Sequence, residues 1–316
     1  MSSQVNTKLL SMFGQSGSIF GVSLLEIMKQ RNDIIVLSAD MSSPAGLDKY
    51  KTLYPDNFLN TGIAEQNMIG TAAGLCNEGF KTVCVAQSCF LSMRSFEQIR
   101  QYAGYMKSPI IFVGISGGFS LQYMGNTHYS LEDVALMRTI PGMNVIVPCD
   151  ALEAVKAFEQ SLETNSAVYL KLSGLPNLPV INPSDYDFKT GKGIKLVDGS
   201  DVLIIANGTM VSQALKAAKE LSNVCVINMH TVKPLDTEII KENINGKKIV
   251  VTIEEGFING GLGSAVAEFV SEQNFRTKVI RLGVSDFFPK PGSYPYLLQQ
   301  SGLTAEQIVQ TIKNEL

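Results

Sequence analysis

The stretch that decides the fold is residues 81–116, KTVCVAQSCFLSMRSFEQIRQYAGYMKSPIIFVGIS. Thr82–Ala86 and Pro109–Ser116 are short, apolar and rich in β-branched residues, whereas Met93–Tyr105 between them mixes polar and apolar residues at helical spacing. Strands apolar on both faces and joined by a helix mark a βαβ unit in a covered parallel sheet. The alternation extends outward: Asp33–Asp40, Asn144–Cys149 and Ala167–Leu172 read as strands, and Ala64–Asn77, Leu131–Thr139 and Ala151–Thr164 as helices. Ser173–Lys192 interrupts it with Pro176, Pro179 and Pro183 and reads as a linker. Strands then return at Asp201–Ala206, Val224–Met229, Lys248–Glu254 and Lys278–Leu282, with helices near Val211–Leu221, Asp236–Asn243 and Leu262–Gln273. Thr304–Leu316 closes the chain as an amphipathic helix, Thr304 capping it ahead of Gln307. The expected fold class is α/β with two doubly wound domains, residues 1–175 and a smaller 193–316, joined by a linker at 176–192.

Composition narrows the function classes. With 26 Lys+Arg against 29 Asp+Glu in 316 residues, the net charge is −3, so no basic field points to nucleic acid or an anionic membrane. No apolar run is long enough to span a bilayer, and MSSQVNTKLL shows no secretion signal, so a cytoplasmic protein is expected. Cys76, Cys84, Cys89, Cys149 and Cys225 form an odd set without a CxxC pair, which argues for reduced thiols. Two histidines and no Cys/His cluster leave no expected metal site in this chain. Neither a P-loop, a strand-linked GxGxxG nor a GxSxG elbow is present. Gly14–Gly21 (GQSGSIFG) reads as a helix start or a close approach of two backbones.

The informative words lie between Phe58 and Asp150. Asn60-Thr-Gly-Ile-Ala-Glu65-Gln-Asn opens a helix of small and apolar residues, with Glu65 in its first turn. By position alone this is ordinary pairing of a carboxylate with the helix dipole. Cys89-Phe-Leu-Ser-Met-Arg94, Gly125-Asn-Thr-His128, Glu132-Asp133 and Ile140-Pro-Gly-Met143 follow in order. Together these words resemble the transketolase family, and more narrowly the pyrimidine-binding domain shared by transketolases and 1-deoxyxylulose-5-phosphate synthases. Val232-Lys-Pro-Leu-Asp236, Glu254-Glu255 and Gly260-Gly-Leu-Gly-Ser264 resemble the C-terminal domain of the same family.

The resemblance implies a thiamine pyrimidine-binding domain followed by a transketolase C-terminal-like domain, acting on thiamine diphosphate. It implies that Glu65 is the catalytic glutamate on the aminopyrimidine, that Phe90, Met93 and Phe96 pack on that ring, and that Asp40 lies near the cofactor. His128 matches a catalytic histidine facing the donor's oxygens; Glu132 and Asp133 read as helix-start residues. The rival readings are core packing for Phe90, Met93 and Phe96, a helix cap for Asp40 and a turn residue for His128. The GDG motif that holds Mg2+ and the diphosphate in this family is missing here. The implied protein is therefore one half of a split transketolase, with an N-terminal subunit supplying the Mg2+ and diphosphate site in an α2β2 heterotetramer.

The arginines that hold sugar phosphates in the family are absent from Gln15-Ser-Gly-Ser18 and Leu172-Ser-Gly-Leu175, which points to an acceptor other than a simple aldose phosphate. The alternatives are the β subunit of a 2-oxo acid dehydrogenase, a deoxyxylulose-phosphate-synthase-like enzyme using pyruvate, and a catalytically silent assembly scaffold.

Overall fold

The computed structural model describes residues 12, 14–182 and 186–316; the segment read for a secretion signal, and Pro183 of the linker, lie outside the described residues. The first half builds β1 (Ile34–Ser38), β2 (Phe58–Asn60), β3 (Lys81–Gln87), β4 (Ile111–Gly117), β5 (Asn144–Ile146) and β6 (Val168–Ser173). The second half builds β7 (Ile194–Val197), β8 (Val202–Ala206), β9 (Val224–Asn228), β10 (Thr231–Lys233), β11 (Ile249–Phe257) and β12 (Lys278–Val284). A seven-stranded sheet has the order β10-β5-β6-β4-β3-β1-β2, and a five-stranded sheet β12-β11-β8-β9-β7. Pairing is parallel except where β10 joins β5 and where β7 joins β9. The first sheet thus takes its edge strand from the second half of the chain.

Strand alternation fixes the layers. In β1, Ile35 and Leu37 face one cluster while Ile34 and Val36 face another. The outer cluster of the first sheet is closed by α1 (Ser18–Met28) and α7 (Ala151–Glu163), whose Phe20 and Phe158 meet edge-to-face at 5.0 Å. The inner cluster runs on into the second sheet through Leu203, Ile205 and Val250, so one core joins both halves. On the far side, α8 (Met210–Lys219) and α12 (Ala305–Glu315) cover the second sheet. Other helices are α2 (Asp48–Leu53), α3 (Glu65–Asn77), α4 (Ser88–Arg94), α5 (Phe96–Ile99), α6 (Asp133–Thr139), α9 (Thr237–Ile244), α10 (Leu262–Ser271) and α11 (Tyr294–Gln300).

Several expectations need correction. Met93–Tyr105 is not one helix: α4 starts at Ser88, directly after β3, and α5 and a π-helical turn, Arg100–Tyr105, follow a break at Ser95. The Ser95 hydroxyl bonds the Leu91 carbonyl at 2.7 Å, the local competition by which serine interrupts helices. The strand expected to reach Cys149 ends at Ile146, where Val147 N–H leaves the ladder to bond the His230 carbonyl at 2.7 Å and Pro148 has no donor. β2, β7 and β10 are short and went unread. The Thr304–Gln307 capping box is formed as expected. Both readings of Gly14–Gly21 are realised: Gly17 precedes α1 with φ 70°, and a Cβ at Gly21 would overlap the Gly46 carbonyl.

Candidate active site

The carboxyl ends of the parallel strands, where ligands gather in α/β sheets, carry the residues singled out from sequence. β2 ends at Asn60, and a turn through Gly62, with φ 71°, leads into α3. Glu65 is the first residue of α3 and is 5% exposed. Among the described residues no side chain caps that helix, so its free N–H groups and the positive end of its dipole lie beside an acidic side chain. Phe90 stands on α4 at the end of β3, and its ring meets the His128 ring edge-to-face at 5.3 Å. Gln87 fixes the histidine's loop by donating from Nε2 to the His128 carbonyl at 3.1 Å, while Thr127 Oγ1 lies 2.9 Å from His128 Nδ1. Cys89, beneath them, is inert: burial pushes its thiol up to about 12.

Arg94 ties the group together, a residue to which sequence reading assigned no role. Its Nη1 donates to Glu65 Oε1 at 3.2 Å and its guanidinium carbon lies 3.6 Å from the Phe90 ring centre. The signal was available as the i, i+4 spacing of Phe90 and Arg94, which stacks the two on one helical face. Glu65, Phe90, Arg94 and His128 are therefore contiguous.

The other candidates stand apart. Asp40 does not cap a helix. It sits after β1 in the left-handed region, φ 56°, exchanging two 3.1 Å hydrogen bonds with the Asn60 side chain. Asn60 Oδ1 also accepts from Gly62 N–H, so Asp40 acts on the turn before Glu65. Met93 is 42% exposed, and Phe96 packs partly buried on the inner core with Tyr102 and Leu75. No hydrogen bond or ring pair joins either to Glu65 or Phe90 among the described residues. The residues present suit a planar, hydrogen-bonding heterocycle: a buried carboxylate beside an aromatic face, with an imidazole at its edge.

The arginine-free stretches meet each other. Gln15 Nε2 donates to the Pro148 carbonyl at 2.7 Å and its Oε1 accepts from Ser173 N–H at 2.8 Å. Ser120 Oγ lies 3.3 Å from Ser173 Oγ and accepts from Gly174 N–H at 2.9 Å. Ser116 faces the same glycine from a left-handed backbone, φ 55°, the sort of strain that collects at binding sites. Lys171 lies below and is already committed, donating to Asp133 Oδ1 at 2.8 Å and the Ser130 carbonyl at 2.9 Å. Asp133 starts α6 as expected but is fully buried, accepting also from the Tyr169 hydroxyl at 2.7 Å. The Gly260–Ser264 turn is structural, because Glu254 takes the N–H groups of Leu262 and Gly263 at 2.8 Å each.

Comparison with known proteins agrees with this layout. Residues 16–175 match the family model for the transketolase pyrimidine-binding domain, and residues 191–308 that for the transketolase C-terminal domain. A putative transketolase C-terminal section from Methanocaldococcus jannaschii is 36% identical over 94% of this chain and 95% of its own length. A 6-deoxy-6-sulfo-D-fructose transketolase subunit from Clostridium sp. (strain MSTE9) is 37% identical over 90% of this chain and 89% of its own. Among solved structures, a split gene transketolase in an inactive β4 tetramer superposes with a TM-score of 0.86 at 35% identity, covering 96% of this chain and 98% of that one. This chain belongs to the transketolase family and spans its pyrimidine-binding and C-terminal domains.

Proposed function

We propose that the chain is the pyrimidine-side subunit of a two-chain, thiamine-diphosphate-dependent transketolase, moving a two-carbon ketol unit from a ketose to an aldehyde or modified-sugar acceptor. The observation that carries this reading is the buried Glu65 carboxylate beside the Phe90 ring and His128, in a chain that carries no GDG motif. Once bound, the cofactor's thiazolium ring supplies the electron sink for carbon–carbon bond cleavage. Glu65 holds the proton at the pyrimidine N1′, and burial keeps water from competing for that bond. Phe90 would offer its face to the aminopyrimidine, with Met93 one turn away on the same helix, and His128 would donate to the sugar's oxygens. Asp40 supports the Asn60–Gly62 turn from which α3 starts. Among the described residues no cluster of His, Cys, Asp or Glu is fit to hold a metal ion; Mg2+ and the diphosphate fall to the N-terminal subunit in an α2β2 assembly. The protein works in the cytoplasm, and no described helix is long and apolar enough to cross a membrane.

The test is circular dichroism of the chain with its GDG-bearing partner, thiamine diphosphate and Mg2+, titrated with a ketose. A cofactor-dependent band that the ketose changes, and that Glu65→Gln removes, is expected. A stable complex that responds to pyruvate and not to ketoses would replace this reading with that of a 2-oxo acid enzyme. The absence of arginine from Gln15–Ser18 and Leu172–Leu175 favours an acceptor other than a simple aldose phosphate. Equal turnover of ribose 5-phosphate and of bulkier or modified aldoses would refute that preference.

A further inference from the structure

We propose that Arg94 is a placeholder for the aminopyrimidine: it holds Glu65 and Phe90 in place in the free chain and gives both up when the cofactor docks. The inference rests on the cofactor reading above and adds a residue to it. A pyrimidine ring at this site needs a carboxylate for its N–H and an aromatic face for its plane. One side chain now engages both, with Arg94 Nη1 at 3.2 Å from Glu65 Oε1 and its guanidinium 3.6 Å from the Phe90 ring centre.

The match is chemical as well as spatial. A guanidinium is a flat cation with N–H donors in its plane and a face that stacks on aromatic rings; an aminopyrimidine protonated at its ring nitrogen is the same kind of object. Glu65 is 5% exposed and sits at an uncapped helix start, and among the described residues its side-chain partner is Arg94; a carboxylate there without a counter-ion would be a buried, unpaired charge. Arg94 supplies that counter-ion. Its own side chain is 48% exposed, which leaves it a path outward into solvent. Release is inexpensive because a half-exposed ion pair and a surface cation–π contact are each weak, together equivalent to about tenfold in binding. Arg94 is thus a positioning residue that holds the Glu65 carboxyl group and the Phe90 ring in place before assembly.

The experiment uses the whole chain and a probe that needs no diphosphate site, 4-amino-5-hydroxymethyl-2-methylpyrimidine, titrated by NMR with 15N-labelled arginine. In the free protein the Arg94 guanidinium signals should be shifted by the Phe90 ring and slowed in rotation, and the probe should return them to solvent-like positions. Arg94→Met should bind the probe about tenfold more tightly than wild type, and Glu65→Gln should not bind it. Equal affinity in wild type and Arg94→Met, with binding lost in Glu65→Gln, would overturn the placeholder while leaving the pyrimidine site intact. Failure of wild type and Arg94→Met alike to bind would remove the pyrimidine reading, and the placeholder with it. Should Arg94→Met fold poorly, the guanidinium signals of wild type decide alone: no ring shift, or no response to bound probe, overturns the proposal.

Discussion

Lys171 sits where the two halves of the molecule meet, its ammonium bonded to Asp133 and to the carbonyls of Ser130 and Glu255. Both side chains of the pair are almost wholly buried, so removing one leaves the other charged without a partner. Lys171→Met should lower unfolding stability by about 3–5 kcal/mol. Asp133→Leu added to it should recover part of that loss, a coupling readable from urea denaturation of the single and double variants. Two other buried residues predict the pH profile. Burial pushes the Glu153 carboxyl up to about 7 and the His230 ring down to about 4. A carboxyl whose folded pKa is raised binds protons better in the folded state, so Glu153 makes stability fall as pH rises from its unfolded value near 4.5 to about 7. A depressed histidine does the opposite, adding stability as pH rises from about 4 to its unfolded value near 6.5. The two slopes oppose each other, each worth on the order of 3 kcal/mol across its window. Relative to wild type, His230→Gln should therefore tilt stability downward between pH 5 and 7, and Glu153→Gln should tilt it upward.

At the scale of elements, Asp150 connects the start of α7 to the linker. Its Oδ1 accepts from Glu153 N–H at 2.8 Å, and its Oδ2 from Ile181 and Asn182 N–H at 2.7 and 2.9 Å. Asp150→Ala removes a helix cap and strands buried amides, and should cost about 2–3 kcal/mol in thermal or urea unfolding. Asp150→Asn should cost less than half as much, because its amide oxygen still serves one side of the junction. The same elements show what a sequence can reveal. β1, β3, β4 and β6 were legible because they are buried almost throughout and their central positions are mostly apolar and β-branched. α12 was legible because Thr304 and Gln307 form a local signal. β10 was not: a three-residue strand on the edge of a sheet built by the other half of the chain exists only through tertiary contact. The break at Ser95 was hidden for a related reason, since serine is neutral in composition and acts only through its bond to Leu91. In the site, Glu65, Phe90 and His128 stood out through the words around them, whereas Arg94 and Asn60 matter through partners distant in sequence: Glu65, 29 residues from Arg94, and Asp40, 20 from Asn60.

For the whole molecule, the question is what covers the site. Ile63 is 73% exposed two residues before Glu65, and Met93 is 42% exposed next to Arg94 in sequence, so exposed apolar side chains flank both members of the ion pair along the chain. Small residues of α3 contribute unequally to any close approach there: Ala73 points into the core, whereas Gly74 is exposed with no heavy atom near its missing Cβ. Under the proposed function the N-terminal subunit packs on this rim and completes the site. Ile63→Asp isolates that contact, because an exposed side chain can be changed without opening a cavity. The free variant should unfold within about 0.5 kcal/mol of wild type. Its complex with the GDG-bearing subunit should dissociate at least about tenfold more readily, as expected for an apolar anchor at the centre of an interface. Sedimentation of the mixture, read alongside the cofactor-dependent dichroic band, checks both at once. Loss of the band together with the complex would assign Ile63 to the subunit contact. Loss of the band with the complex intact would move Ile63 from the interface into the cofactor site itself. An unchanged complex with an unchanged band would mean that the partner approaches from another face, and that the apolar rim serves substrate entry instead.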